Sequence, residues 1–431
     1  MITAGILLAL TCIGIVTAVF YKPSLSLFKI SLPTTAIVAV IGACLMMAFG
    51  VVSPLTVWRN LTINTAVNPI KILVLFISMT LLSVFLDELN FFSFFADFIL
   101  KRAKTSLIKL FVSLYLVVSI LTIFTSNDII VLTFTPIICF FSKRAKINPL
   151  PFLFCEFVAA NTWSMALIVG NPTNIYLATG AGIGFFEYFK IMLLPTLACG
   201  IVSFIILFLV FYKQLKMPIN SLENQVEGAK ITDKPLFILG IIFLGSCIIL
   251  LAVSSYLNIE TYLICLSFAV TEIIVATIYK LIKRENLKTV TSAIKRAPYE
   301  LIPFVLSMFV VVLGVEKSGL SELICEFLSK GNSIFTYGIS SFLASNLINN
   351  IPMSVLFSSL AKVNLGAVYA SIIGSNIGAL FTPVGALAGI MWCNMLKIYS
   401  VKVSFLDFTK KGCLIAVPSI LISLLVLFFI I

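Results

Sequence analysis

Apolar stretches long enough to cross a lipid bilayer recur from one end of the 431-residue chain to the other. A helix needs about 20 residues to cross roughly 30 Å of hydrocarbon. Ten stretches approach that length, and each predicts a membrane-spanning helix. They run from Ile2 to Tyr21, Ser31 to Ser53, Pro69 to Leu86, Leu150 to Thr179, Phe189 to Tyr212, Pro235 to Tyr256, Thr261 to Tyr279, Leu301 to Val315, Gly366 to Met395 and Gly412 to Ile431.

Two further apolar stretches, residues 106–141 and 333–360, are interrupted halfway by polar residues. The interruptions are Ser126-Asn127-Asp128, followed by Pro136, and Ser345-Asn346 with Asn349-Asn350, followed by Pro352. Hydrogen-bonding residues and helix breakers are costly in hydrocarbon unless they line a cavity within the protein. We therefore expect two re-entrant hairpins with buried tips. Two full crossings, which would place the polar residues at the far surface, are the alternative.

Basic residues predict the orientation of the chain. Lys101 and Arg102 precede the stretch 106–141, and Lys143 and Arg144 follow it, so both of its ends favour the cytoplasm. Most of the 29 basic residues fall on that same side if both termini lie outside. This topology predicts that segment 213–234 is a cytoplasmic linker. It opens hairpin 106–141 inward and hairpin 333–360 outward, with Lys71 outside and Lys397 inside.

The two halves of the chain resemble each other. Phe85–Leu89 aligns with Gly314–Ser318, and Ser126-Asn127 aligns with Ser345-Asn346, which makes Leu347 the counterpart of Asp128. Residues 1–212 and 235–431 each contribute five spans and one hairpin, and an odd number of crossings makes the two repeats inverted. The predicted fold is an all-α polytopic membrane protein with about ten transmembrane helices and two re-entrant hairpins.

Composition narrows the chemistry. The chain is 61% hydrophobic and 11% charged, which excludes a soluble domain and indicates a lipid bilayer as its surroundings. The net charge of +12 lies in short loops, so no nucleic-acid partner is expected. There is no His, and the ten Cys are dispersed without a C-x-x-C pair. We therefore expect no catalytic residue, no metal site and no cofactor, and we interpret the cysteines as small buried apolar residues.

Four helix breaks are predicted to meet near the middle of the membrane. Two are the hairpin tips, and the others are Gly170-Asn171-Pro172-Thr173-Asn174 and Thr382-Pro383-Val384-Gly385-Ala386. Proline removes a backbone donor and glycine permits unwinding, so each break leaves free amides and carbonyls. With neighbouring side chains these form a neutral hydrogen-bonding cage, although kinks in ordinary packing helices are the alternative. The predicted substrate-binding residues are Ser126, Asn127, Asn171, Thr173, Asn174, Ser345, Asn346, Asn349, Asn350, Asn376, Thr382 and Gly385, and the predicted helix breaks are Gly170, Pro172, Pro352 and Pro383.

Acidic residues within the apolar stretches are candidates for ion coupling. Asp128 is the only acid at a predicted tip, where it could carry H⁺ or Na⁺ or could simply cap the following helix. Glu156 lies five residues before Asn161 and could relay protons, whereas Glu272 lies on a peripheral span and is interpreted as structural. Asn161-Thr162 and Ser375-Asn376 precede the two helix breaks and could either face the cavity or join helices.

Several of these segments resemble the arsenical-pump membrane proteins, the arsenite and antimonite permeases of the ion transporter superfamily. The similar segments are Arg296-Ala297-Pro298-Tyr299, Asn349-Asn350-Ile351-Pro352, Thr382 to Ala388 running on to Trp392, and Asn127-Asp128 with Thr135-Pro136. The resemblance implies a cell-membrane carrier with ten crossings and two opposed hairpins. It also implies a possible homodimer and a possible soluble ATPase subunit as partners.

The chain departs from that family at two positions. The resemblance implies an acid where Asn161 stands and another where Asn376 stands, and both are amides here. Gly170 to Asn174 is instead similar to the wider anion and dicarboxylate carriers of the superfamily.

The leading functional hypothesis is a secondary carrier that exports a small oxyacid such as arsenite or antimonite. At neutral pH arsenious acid is uncharged and rich in hydroxyl groups, which suits a cage of amides and hydroxyls. The second hypothesis is a sodium- or proton-coupled carrier of dicarboxylates or other anions, or a cation/proton antiporter. Asp128 beside the cavity would repel a dianion. A membrane-embedded enzyme is a third hypothesis, which the absence of His disfavours.

Overall fold

The computed structural model describes residues 1–21, 24–27, 30–64, 68–95, 106–217, 230–257, 259–361 and 364–431. The named helices are α1 (Ile2–Tyr21), α2 (Thr34–Ala48), α3 (Pro54–Thr62), α4 (Pro69–Glu88), α5 (Leu107–Phe124), α6 (Asn127–Ala145), α7 (Leu150–Trp163), α8 (Pro172–Gly180), α9 (Phe185–Leu215), α10 (Lys234–Leu257), α11 (Thr261–Ile282), α12 (Lys288–Arg296), α13 (Leu301–Lys317), α14 (Leu320–Leu328), α15 (Ser333–Ile348), α16 (Asn350–Leu360), α17 (Leu365–Phe381), α18 (Leu387–Ile398) and α19 (Phe405–Ile430). Lys101, Arg102 and most of the predicted linker lie outside the described residues.

The helices agree with the prediction of a polytopic membrane protein. Seven helical stretches in the described ranges are long and apolar enough to cross a bilayer, one of them (Lys288–Lys317) made of α12 and α13 together, and shorter apolar helices accompany them. One local element differs from the all-α prediction: strands β1 (Ser24–Leu27) and β2 (Ile30–Pro33) form a small antiparallel hairpin, with Leu25 opposite Leu32. The re-entrant character of residues 106–141 and 333–360 and the inverted repeats remain predictions.

The first predicted tip is a sharp turn between α5 and α6. Thr125 and Ser126 are extended, and the Ser126 side chain caps α6 by accepting a hydrogen bond from the Asp128 amide at 3.2 Å. Asp128 therefore lies in the first turn of a helix, where a negative charge is favoured by the helix dipole. Ser126, and not Asp128, is therefore the residue that caps this helix.

The second tip lies one helical turn later than the alignment of the two Ser-Asn phrases implies. Ser345 and Asn346 are inside the last turn of α15, and the chain reverses at Asn349. Asn349 has φ 72° and ψ 155°, a strained backbone conformation outside the left-handed helical region, and its side chain caps α16. Pro352 then sits in the first turn of α16, where no intrahelical donor is needed. By position relative to the turn, Ile351 rather than Leu347 is the counterpart of Asp128.

Close packing of α15 against α17 brings the second tip to the ninth predicted span. A Cβ atom at Gly374 would lie 2.0 Å from Ser341 Oγ and 2.3 Å from the Gly338 carbonyl oxygen. Only glycine allows this approach of the two backbones. One turn further along, the Asn346 side chain donates to the Gly378 carbonyl at 3.0 Å.

The Arg296 segment serves to join helices. The guanidinium of Arg296 donates to Asp87 Oδ2 and to Glu88 Oε1, each at 2.6 Å, and so ties α12 to the end of α4. Two charge-assisted bonds from one guanidinium to two carboxylates hold its orientation as well as its distance. This segment therefore supports the frame and takes no part in the helix breaks.

Candidate functional site

Two long apolar segments are interrupted by the same backbone unit. In the first, Leu167 is extended, Ile168–Gly170 form a 3-10 turn, Asn171 is extended and α8 begins at Pro172. In the second, Thr382 is extended, Pro383–Gly385 form a 3-10 turn, Ala386 is extended and α18 begins at Leu387. The spacing is constant from residue to residue, and the dihedral angles agree: φ −124°, ψ 151° at Leu167 and φ −136°, ψ 154° at Thr382.

Glycine is required at the end of each turn because the backbone folds back on itself there. A Cβ at Gly170 would lie 2.3 Å from the Ser164 carbonyl oxygen, and one at Gly385 would lie 2.4 Å from the Gly378 carbonyl oxygen. Contacts that short do not occur between real atoms. A residue with a Cβ at either position would therefore force the backbone apart. The breaks predicted from glycine and proline thus fall where the sequence places them, although the first begins earlier, at Ser164.

Asn376 joins the two interrupted segments. Its Oδ1 accepts hydrogen bonds from the Ser164 hydroxyl at 3.0 Å and from Asn171 Nδ2 at 2.9 Å. Its Nδ2 donates to Asn174 Oδ1 at 2.7 Å and to the Ile372 carbonyl at 2.8 Å. Both the oxygen and the nitrogen of the Asn376 side chain therefore make two hydrogen bonds each. All of the residues involved are fully buried or nearly so.

The first tip reaches the same cluster through Asn161. Asn127 Nδ2 donates to Asn161 Oδ1 at 3.1 Å, and Asn161 Nδ2 donates to the Phe157 carbonyl at 2.9 Å. Ser164 completes the connection because its hydroxyl lies 3.0 Å from the Asn161 carbonyl as well as from Asn376. Ser164 was not among the predicted site residues; its place between Asn161-Thr162 and Gly170 is the only sequence signal for it.

The second tip contacts the second break. Asn346 Oδ1 accepts from the Thr382 hydroxyl at 2.6 Å, and Asn349 Nδ2 donates to the Val384 carbonyl at 3.0 Å. These two bonds hold the ends of α15 and α16 against the 3-10 turn. The Ser345 hydroxyl, by contrast, donates to the Ser341 carbonyl of its own helix, and it makes no hydrogen bond to the cluster within the part of the chain that the structure describes.

Some buried polar atoms of the predicted site have no protein partner. Among the described residues, Asn350 Oδ1, Thr173 Oγ1 and Ser375 Oγ lack hydrogen bonds. Asn350 and Thr173 lie in the first turns of α16 and α8, which pack against each other. An unsatisfied buried polar atom is costly unless water or a ligand satisfies it, so these atoms are available for a substrate.

The two acids proposed for coupling differ in their surroundings. The Asp128 carboxylate is partly buried and makes no hydrogen bond or ion pair with any described residue. Glu156 is fully buried, and the Thr135 hydroxyl donates to its carboxylate at 3.3 Å from both oxygens. Among the described residues, neither acid hydrogen-bonds to Asn376 or Asn171, whose side-chain partners are amides and a hydroxyl.

Two cavities end on equivalent positions of the two breaks. The first, about 400 Å³, is lined by Ile168 and Val169 and by the ion pair of Lys71 with Glu260. The second, about 180 Å³, is lined by Pro383 and Val384 and by Lys397. Lys71 and Lys397 were predicted on opposite sides of the membrane. Each cavity therefore leads from a different predicted face to the corresponding 3-10 turn.

The site contains no recognisable metal centre within the described ranges. No group of three or more His, Cys, Asp or Glu side chains there has metal-binding geometry. What the site offers instead is a set of neutral donors and acceptors near helix N-termini, an arrangement suited to a small hydroxylated molecule.

Known proteins similar to this chain are membrane transporters. The chain is 26% identical to the arsenical pump membrane protein of Escherichia coli over 405 residues, covering 90% of this chain and 91% of that protein. The proteins of the same name in Shigella flexneri and Yersinia enterocolitica are also 26% identical, over 407 and 370 residues. These alignments cover 90% and 81% of this chain and 91% and 84% of the relatives.

A family profile covers most of the chain. The profile described as citrate transporter matches residues 25–363, which include both tips and the first helix break. A transporter family is in keeping with the long apolar helices described above. The protein is thus a multi-pass membrane transporter that belongs to the citrate transporter (CitMHS) family.

Proposed function

We propose that this transporter exports a neutral trivalent oxyacid, arsenite or antimonite, by alternating access between its two cavities. The observation that carries the proposal is the pair of equivalent 3-10 turns, each at the end of a different cavity and joined to the other break through Asn376. Unequal cavities at equivalent turns are expected of a carrier caught in one of two related states. The relatives named as arsenical pumps support the substrate class.

The chemistry of the cluster favours an uncharged substrate. The side chains that bond to one another there are asparagine, serine and threonine, and Lys71 in the larger cavity is already paired with Glu260. A citrate or dicarboxylate anion would leave its charges uncompensated among these groups, which is costly in a low-dielectric site. Arsenious acid brings three hydroxyl groups and no charge.

Asp128 is proposed as the coupling residue for H⁺ or Na⁺. Its carboxylate is free of described protein partners and lies one residue from Asn127, which is bonded to the cluster through Asn161. A charge change at Asp128 is therefore one residue away from the amide that joins the first tip to the site. The proposal also places both termini outside and segment 213–234 in the cytoplasm, as the charge pattern indicates. A homodimer or an ATPase partner is a further part of the proposal, and it depends on the resemblance.

Accessibility of the two turns tests alternating access. Val169→Cys and Val384→Cys occupy equivalent positions, and both can be introduced after Cys44, Cys325, Cys393 and Cys413 are replaced by serine. A membrane-impermeant maleimide should label Cys at 169 from the outside and Cys at 384 only in everted vesicles, and arsenite should shift the two rates in opposite directions. Val158→Cys, buried on α7 away from both cavities, is the matched control and should stay unlabelled. Labelling of both positions from one face would contradict the proposal.

A further inference from the structure

Three sulfur atoms meet between α4, α10 and α11, away from the asparagine cluster. The Cys247 thiol lies 4.0 Å from the Cys265 thiol and 3.8 Å from the Met79 sulfur. Both thiols are reduced and fully buried. The two cysteines are 18 residues apart, on consecutive helices, and the packing of α10 on α11 brings them together.

The larger cavity opens one helical turn from this sulfur group. Its wall includes Leu75, one turn before Met79, and Leu251, one turn after Cys247. Thr261 and Tyr262 of α11 line it as well, three to four residues before Cys265. Residues three or four apart share one face of a helix, so all three helices continue from the cavity wall to the sulfurs on the same face.

An unpartnered acid lies beyond the sulfurs. Glu272 is fully buried on α11, two turns after Cys265, and neither carboxyl oxygen has a hydrogen-bond partner among the described residues. It is close enough to Cys247 to interact with it electrostatically. Gly240 leaves the space beside it, because a Cβ there would lie 3.4 Å from Glu272 Oε1.

We infer that Cys247 and Cys265 form a dithiol site that captures trivalent arsenic or antimony hydroxides from the larger cavity, with Met79 as a neighbouring soft contact. A trivalent arsenic or antimony atom is pyramidal, so two bonds of about 2.3 Å, the length of a metal–thiolate bond, would hold the two sulfurs roughly 3.3–3.5 Å apart. The thiols therefore need to approach each other from their separation of 4.0 Å by side-chain rotation. The identification of the bound element as arsenic or antimony rests on the proposed function, whereas the dithiol geometry is independent of it.

The capture step is a condensation that is balanced without any oxidant. At each thiol the S–H bond breaks and a bond from sulfur to the metalloid forms. At the metalloid one bond to a hydroxyl breaks, and that hydroxyl takes up the thiol proton and leaves as water. Two thiols and one trihydroxide thus give a dithiolate that retains one hydroxyl, plus two waters. Glu272, two helical turns beyond Cys265, is not required for this balance. Reactants and products are neutral, which suits a buried site.

Phenylarsine oxide, which binds paired thiols, provides a test on purified protein that does not involve transport. Intact-mass measurement should find about one phenylarsine per wild-type chain, removed by a dithiol competitor but not by a monothiol at equal thiol concentration. Cys247→Ser and Cys265→Ser should each abolish binding. Cys199→Ser, another fully buried cysteine, is the matched control and should retain it. Glu272→Gln should leave the stoichiometry unchanged.

The comparison is valid only for variants that elute as monodisperse protein and whose thermal unfolding is close to that of the wild type. If Cys247→Ser unfolds, Cys247→Ala provides the second measurement. Retained binding in a folded Cys247 variant, or equal loss in Cys199→Ser, would overturn the inference. Absence of arsenite transport by the wild type would overturn the proposed function and would leave the phenylarsine result unaffected.

Discussion

Asn376 Nδ2 donates a hydrogen bond to Asn174 Oδ1 at 2.7 Å, across the boundary between the two interrupted segments. The Asn174 amide cannot turn over to offer its nitrogen instead, because Nδ2 already donates to the carbonyls of Ser164 at 2.8 Å and Leu167 at 3.2 Å. The bond therefore requires a donor at position 376. An ionised acid, which the family resemblance implies there, has none.

Asn376→Asp should destabilise the protein and stop transport. The substitution removes the donor facing Asn174 and the donor to Ile372 and leaves a buried charge, at a cost of about 3 kcal/mol or more. Thermal unfolding in detergent and arsenite uptake would measure both effects. Ser371→Ala on the same helix removes only a bond to the Ala367 carbonyl and is the control; its stability should change by less than about 1 kcal/mol. A fully active Asn376→Asp protein would show that the neutral cluster is not needed.

Gly385→Ala should abolish transport through a local backbone clash. Its Cβ would lie 2.4 Å from the Gly378 carbonyl oxygen and 2.9 Å from Asn346 Oδ1, which receives the Thr382 hydroxyl. Gly245→Ala provides a matched control, since a Cβ there meets no atom within 4 Å. Expression, unfolding temperature and uptake should be near wild type for Gly245→Ala. Equal behaviour of the two variants would contradict the account of the helix break.

Asn350→Ala and Asn171→Ala should separate substrate binding from stability. Asn350 Oδ1 has no protein partner, so its removal should change stability by less than about 1 kcal/mol while raising the apparent Kd for arsenite about tenfold. Asn171 caps α8 and donates to Asn376, so its removal should cost about 1–3 kcal/mol of stability as well. Arsenite-dependent shifts in unfolding temperature measure both. An unaltered shift in Asn350→Ala would remove Asn350 from the binding site.

Asp128→Asn should uncouple transport from the ion gradient with little effect on folding. No described residue bonds to the Asp128 carboxylate, so the nearly isosteric amide should leave stability within about 0.5 kcal/mol of wild type. Uptake should then be the same with and without an imposed proton or sodium gradient. Glu88→Gln, on the bonded acid at the end of α4, is the comparison and should keep its response to the gradient. Gradient-stimulated uptake by Asp128→Asn would exclude Asp128 as the coupling group.

Sequence reasoning predicted the helical class and the places where glycine and proline interrupt α7–α8 and α17–α18. Both follow from local chemistry: apolar length gives spans, and Gly170 and Pro383 stand next to other residues that favour leaving a helix. Proline alone is not sufficient, since Pro136, Pro195 and Pro418 lie inside helices. The second tip was placed a turn too early, because Ser345-Asn346 and Asn349-Asn350 are both polar pairs and only the positive φ of Asn349 distinguishes them. The dithiol of Cys247 and Cys265 could not be predicted, since it depends on how α10 packs against α11.

Transport by everted membrane vesicles tests the central claim, export of a neutral trivalent oxyacid, most directly. Vesicles containing the protein should accumulate arsenite and antimonite when a proton or sodium gradient is imposed, should lose that accumulation in the Gly385→Ala variant, and should not accumulate citrate. Gradient-driven citrate accumulation without arsenite uptake would contradict the claim.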